Sequence, residues 1–243
     1  MTRWLRRFSV PQQWAHWIYA LFFGVLAATG IVIAFSVAGF VVGEAGAMTR
    51  LFHRAAAVGL ILMVVYYAVF GYKSAGRDMR LIVSWSKNDL KWLWRAATRF
   101  YWTGRRGDLP EEGRYNAGQK LNYLGQLVGF GVLTVTGLIM WLGVGGSSAG
   151  WFKASVILHD LATVLVVGLF AVHFYLTTMH PLTKESITGM ITGKVTEEYA
   201  REHHPAWLRE VEAGEAEEDD IEGSGYQNGR RDALITGLRR RSS

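Results

Sequence analysis

The sequence predicts an all-α membrane protein: a four-transmembrane-helix bundle with cytoplasmic N- and C-termini and an interfacial amphipathic helix between helices 2 and 3. Three observations predict it. Half of the 243 residues are hydrophobic, and they gather in four runs free of charged side chains, between Arg7 and Glu44, Arg54 and Lys73, Lys120 and Lys153, and Asp160 and Lys184. Each run reaches the ~18 residues that mark a spanning helix. The basic residues are segregated between loops. Four histidines, His16, His53, His159 and His173, sit inside hydrophobic segments, where an imidazole is expensive unless it is coordinated or hydrogen-bonded.

The first span starts at Pro11, a good first-turn residue, and runs to about Phe35. A secretory signal peptide is the competing reading, but this run exceeds a signal core of ~7–15 apolar residues. The second span covers about Ala47 to Tyr72, the third about Leu121 to Leu142, and the fourth about Trp151 to His180. The N-terminal tail carries Arg3, Arg6 and Arg7. The middle loop carries Lys73, Arg77, Arg80, Lys87, Lys91, Arg95, Arg99, Arg105, Arg106, Arg114 and Lys120, whereas the other two connections hold only Arg50 and Lys153. The positive-inside rule places the termini and the middle loop in the cytoplasm.

Within that loop Lys87, Lys91, Arg95 and Arg99 recur every four residues, a basic stripe on a helix. Leu90, Leu93, Trp94, Ala97 and Phe100 fall largely on the other side. This pattern predicts a helix lying on anionic lipid with Trp85, Trp92 and Trp102 near the headgroups; a solvated loop helix is the alternative. The acidic run Glu210–Glu222 and the Gly/Ser/Asn stretch after it predict disorder past about Glu210, dividing the chain into a membrane domain, 1–208, and a tail, 209–243. A partner-binding tail is the other reading.

The chain has no cysteine, which excludes disulfides, iron–sulfur clusters and covalently attached haem. Its formal charge of +6 is placed beside the spans, so the expected partner is the bilayer and not nucleic acid. A short internal repeat is visible: Gly24-Val25-Leu26-x-x-Thr29-Gly30 against Gly131-Val132-Leu133-x-x-Thr136-Gly137, and Leu-Phe-His53 against Ile-Leu-His159. Chance or shared lipid composition would also produce it; a true parallel repeat makes His53 and His159 symmetry mates and puts Tyr67 at the position where the fourth span has His173.

Depth pairs the histidines independently. His16 and His173 lie roughly 8–10 Å from the cytoplasmic side, and His53 and His159 ~9–12 Å from the outer side, at ~1.5 Å per residue. His159 and His173 share one helix, ~21 Å apart and within about 40° of one face. Interfacial histidines, a proton relay in a transporter and zinc, which wants four gathered ligands, are the competing readings. Two level pairs in opposite leaflets fit two bis-histidine b-type haems best, with His16/His173 and His53/His159 as metal ligands. His180, read as interfacial, and His203 and His204, read as facing a partner or water, are not expected to be ligands.

The chain resembles the cytochrome b (gamma) subunit of membrane-bound formate dehydrogenase from about Trp14 to Trp207. The carriers are the four histidines in their order and spacing, Arg114-Tyr115-Asn116-Ala117-Gly118-Gln119-Lys120, Val135-Thr136-Gly137, Leu158-His159-Asp160-Leu161-Ala162, and Thr192-Gly193-Lys194-Val195 through His203-His204-Pro205-x-Trp207. The histidine spacing is shared with related di-haem cytochromes of hydrogenases and thiosulfate reductases. The resemblance implies a non-catalytic subunit in a bacterial inner membrane. A molybdenum or tungsten catalytic subunit and an iron–sulfur subunit would be its partners, and a quinone (menaquinone or ubiquinone) its acceptor. It implies that Asn116, Gly118 and Gln119 border the quinone, where an amide donates to a quinone carbonyl and glycine admits the ring. A helix N-cap is the other role open to Asn116. A stand-alone quinol-oxidising cytochrome b is the alternative function.

Overall fold

The computed structural model describes residues 3–35, 42–105, 109–143 and 149–214. In chain order these form β1 (Trp4–Arg6), α1 (Val10–Ala34), α2 (Gly43–Phe70), α3 (Tyr72–Val83), α4 (Lys87–Arg95), a π-helical turn (Ala96–Phe100), α5 (Tyr101–Thr103), α6 (Ala117–Leu142), α7 (Ala149–Thr178), α8 (Ser186–Thr192), β2 (Lys194–Thr196), α9 (Glu197–His203) and α10 (Pro205–Ala213). Among the described residues, those within 14–83 and 121–174 form one compact unit, and those within 3–13, 84–120 and 175–214 form another.

The first unit holds the membrane spans. Helices α1, α2, α6 and α7 each have at least 25 residues long and apolar enough to cross a bilayer. At ~1.5 Å per residue each exceeds the ~30 Å hydrocarbon core, so the spans tilt or reach into the headgroups. They start or stop within four residues of the expected ends, because helix termini extend into the interface where sequence hydrophobicity has already fallen. Leu21, Val65, Val128 and Val164 are exposed, as lipid-facing side chains should be.

Burial cannot hold helices together where the solvent is as apolar as leucine, so close backbone approach takes over. On α6, Gly125 and Gly129 form a small-xxx-small pair against α7. A Cβ on Gly129 would come within 2.1 Å of Val166 Cγ1, and one on Gly125 within 2.3 Å of Leu169 Cδ1. Polar bonds add to this: the Gln126 side-chain amide donates to the Val166 carbonyl at 3.0 Å, and Tyr19 donates to Gln126 Oε1 at 3.4 Å.

The second unit is built around a two-stranded antiparallel sheet, with Leu5 opposite Val195. Leu5, Val195, Tyr199, Ala200, Trp207, Leu208 and Val211 form its core. Gly193 turns the chain into β2 at φ +77°, and a Cβ there would strike the Phe8 carbonyl at 2.8 Å. Its own carbonyl accepts from the Arg7 and Phe8 amides. Arg7 and Arg114 are both buried; each guanidinium donates to the other residue's carbonyl. The run before α6 is therefore tied to the N-terminal segment. Val211 is buried and α10 continues through Ala213; the expected disordered tail lies outside the described residues from 215 onward.

The helix of the middle loop differs from expectation. Trp92, placed at the headgroups by its sequence position, is buried with Ala96 and Ala117, and Phe100, expected on the apolar side with Leu90 and Trp94, is buried as well. The cause is a buried partner: the Trp92 indole N–H donates to Glu112 Oε1 at 2.5 Å, and an indole so satisfied gains most from full burial. The π-helical turn, closed by the Tyr101 amide on the Ala96 carbonyl, carries this buried stripe on to Phe100. Leu90 and Trp94 stay exposed, as do Lys87, Lys91, Arg95 and Arg99. The helix thus has three sides: a buried one, an exposed apolar one and a basic one.

The close α6–α7 packing yields a prediction. Gly129→Leu overpacks that contact and lowers stability by about 1–3 kcal/mol, measured as a reduced unfolding temperature in detergent. An unchanged temperature would mean the helices are held elsewhere.

Candidate functional site

Within the spans, α7 carries His159 and His173, α1 carries His16, and α2 carries His53. The structure brings together the two pairs expected from depth. The ring centroids of His16 and His173 are 6.2 Å apart with planes at 63°, and those of His53 and His159 are 6.5 Å apart at 60°. Two imidazole nitrogens on opposite sides of one metal, each at ~2.0–2.1 Å, place ring centroids about 6.4 Å apart. Among the described residues no three His, Cys, Asp or Glu side chains gather as a metal-holding group. Each pair therefore presents two imidazoles and no third donor of that kind, a set that would fit a metal carried by a porphyrin.

The His53/His159 pair is further defined. Thr29 Oγ1 lies 2.7 Å from the Val25 carbonyl and 2.8 Å from His53 Nδ1. Thr136 Oγ1 lies 2.7 Å from the Val132 carbonyl and 2.8 Å from His159 Nδ1. A carbonyl only accepts, so the single hydroxyl proton of each threonine is spent on it. The hydroxyl can then only accept from the ring, and Nδ1 carries the hydrogen. Nε2 keeps its lone pair, the form a metal ligand needs. A Cβ added at Gly30 or at Gly137 would lie 3.5 Å from Cε1 of His53 or His159, so both rings pass close to a glycine. At these residues the internal repeat is structural: the threonine and glycine of each half meet the histidine of the next helix at matching distances. The two threonines are the residues that sequence reasoning missed, although the repeat contained them.

The other histidines lie in the second unit. His180, expected at the interface, is buried between Tyr101 and Tyr175. Its Nδ1 accepts from the Leu182 amide at 3.3 Å, which leaves Nε2–H to face the Tyr101 carbonyl at 3.4 Å. His203 and His204, expected to face a partner or water, are buried too. His203 stacks on Tyr199 at 4.4 Å, and His204 Nδ1 bonds the Gly113 carbonyl at 2.8 Å. Flanking charge made this run read as surface, but Pro205 starts α10 and Trp207 fills the core beside it.

Asn116 and Gln119 form a reciprocal cap at the start of α6. Asn116 Oδ1 accepts from the Gln119 amide at 2.8 Å, and Gln119 Oε1 accepts from the Asn116 amide at 3.0 Å. Each side-chain oxygen accepts one bond here, and the side-chain N–H groups are donors the cap does not use. The space left by Gly118 is taken by Trp92, whose ring lies 3.2 Å from where a Cβ would be. Lys120 reaches back to Asp89 Oδ1 at 2.8 Å and the Ser84 carbonyl at 2.9 Å, tying α4 to the start of α6.

A family model described as prokaryotic cytochrome b561 matches residues 7–193, which include both histidine pairs. The chain belongs to that family. Cytochrome b561 membership implies a b-type haem and electron transfer in a multi-pass membrane protein, and the histidine pairs fit that group by spacing and by protonation. The chain is 29% identical over 212 residues, 86% of its length and 92% of the relative's, to the Escherichia coli formate dehydrogenase, nitrate-inducible, cytochrome b556(Fdn) subunit. It is 26% identical over 213 residues, 84% of this chain and 92% of the relative, to the formate dehydrogenase cytochrome b556(fdo) subunit of the same species. The Haemophilus influenzae formate dehydrogenase cytochrome b556 subunit is 24% identical over 236 residues, 96% of this chain and 94% of the relative.

The reciprocal cap predicts that Asn116→Ala costs about 1 kcal/mol of stability, whereas Asn116→Asp, which keeps the accepting oxygen, stays within a few tenths. Denaturant melts of the two variants check this; equal losses would show that the cap contributes nothing.

Proposed function

We propose that this cytochrome b561 chain is the membrane anchor and electron-transfer subunit of a formate dehydrogenase-like complex. It would pass electrons through two b-type haems, from an iron–sulfur subunit on the outer side to a quinone on the cytoplasmic side. The observation that carries the reading is the presence of two histidine pairs, each at bis-ligand spacing, on opposite stretches of α7. The names of the relatives supply the dehydrogenase, with a molybdenum or tungsten catalytic subunit beyond the iron–sulfur one.

In this reading His53 and His159 hold the outer haem, and His16 and His173 the inner one. When bound, each haem supplies a one-electron iron couple. The chain's residues do the rest: they hold the irons at fixed depth, exclude water with apolar side chains, and keep the ligating nitrogens unprotonated. Moving an electron inward against a negative interior costs ~2.3 kcal/mol per 100 mV, and formate is a strong enough reductant to meet that cost. Asn116 and Gln119 offer amide N–H groups to a quinone carbonyl, with Gly118 beside them shaping the turn around Trp92.

The basic residues support an N-in, C-in arrangement in a bacterial inner membrane. The exposed apolar side of α4, Leu90 and Trp94, lies next to its basic side, Lys87, Lys91 and Arg95. That pairing of faces suits a helix resting on anionic lipid.

Two measurements test the reading. Dithionite-reduced minus oxidised spectra of the full chain should show the α-band of low-spin b haem, reduced to about half in His159→Ala. A full-strength band in that variant contradicts the ligand assignment, and no band in the parent contradicts the electron-transfer role. Purification in mild detergent should recover an iron–sulfur partner. Recovery of the chain alone would favour a stand-alone quinol-oxidising cytochrome, and recovery with a hydrogenase or thiosulfate reductase would reassign the donor.

A further inference from the structure

We propose that Thr29 and Thr136 are matched positioning residues that lower the reduction potential of the outer centre by holding the hydrogens of both its imidazoles. The inference rests on the assignment of His53 and His159 as the outer haem ligands. It adds a role that the ligands' own chemistry does not supply.

The argument starts from the proton count. Each threonine hydroxyl donates to the carbonyl one turn earlier in its own helix, Val25 or Val132, at 2.7 Å. Its oxygen also lies 3.3 Å from the next carbonyl, Leu26 or Leu133, so the proton is held toward its own backbone in both halves. The lone pairs of that oxygen then face a ring nitrogen of a histidine on the neighbouring helix at 2.8 Å. An acceptor at Nδ1–H pulls the hydrogen outward and makes Nε2 a stronger electron donor. Stronger donation stabilises the ferric over the ferrous state, and no proton leaves the ring. The outer centre receives this effect from both sides, because the repeat supplies one threonine to each ligand.

The direction matters for the proposed electron path. An outer centre of lowered potential passes its electron inward more readily, which helps the chain work against the membrane potential. The bonds also cross between helices, α1 to α2 and α6 to α7, so each ring is fixed by a helix other than its own. Thr136 is buried and Thr29 partly so, which keeps water from competing for the Nδ1 hydrogen.

The test is a potentiometric titration of the α-band in the full-length protein, purified with any partners it retains. Variants are Thr29→Val and Thr136→Val, which keep shape and remove the hydroxyl, and Thr29→Ser and Thr136→Ser, which restore it. The parent should show two redox steps. In each valine variant one step should move to higher potential while the other stays, the double variant should move the same step further, and serine should return it toward the parent value. Loss of one haem in a valine variant, regained in the serine variant, supports the same role. Two unmoved steps, an equal shift of both, or equal haem loss with serine and with valine would overturn the proposal while leaving the histidine assignment standing. Fewer than two steps in the parent would overturn the underlying assignment itself.

Discussion

An imidazole inside hydrocarbon has two ring nitrogens to satisfy and no water to satisfy them with. That constraint organises the membrane unit of this cytochrome b561 chain. At the His53/His159 pair, one nitrogen of each ring is taken by a threonine from the adjacent helix, and the other is left as a lone pair beside a second ring in the same condition. Two unprotonated nitrogens brought together in an apolar setting gain little from each other. Their centroid spacing fits the proposed metal between them.

The same constraint explains why α7 is long and closely packed. It carries one member of each pair, so its axis sets the relative height of both centres, and a change in its packing moves both at once. Gly125 and Gly129 let α6 approach it to within what a single methyl would fill. Van der Waals contact and a few interhelical hydrogen bonds thus replace the hydrophobic force that is missing in lipid. The second unit is held differently. Two buried arginines satisfy each other's carbonyls, and Glu112 receives the Trp92 indole. These are the bonds of a compact unit with an apolar core of its own.

Much of the membrane unit was legible in the sequence because its signals are long and one-dimensional. Charge-free runs identify the spans, and depth counted from their ends pairs His16 with His173 and His53 with His159. The threonine contacts were not legible. The repeat displayed Thr29 and Thr136 twice over, but a hydrogen bond across helices depends on rotation about each axis, which a short motif does not specify. Trp92 was misplaced because α4 has two apolar stripes, and only the position of Glu112 decides which one turns inward. His203 and His204 sit among charged neighbours and read as surface; their burial follows from a core to which Leu5 is brought from the far end of the chain by pairing with Val195. Asn116 belongs to both categories, since its cap was foreseen as one option and the structure pairs it reciprocally with Gln119.

The central claim is that this one chain holds two irons, each clasped by a histidine pair. The most direct measurement is haem content per polypeptide by the pyridine haemochrome assay on fully loaded, full-length protein. The account predicts two b-type haems per chain; a value of one or fewer would contradict it.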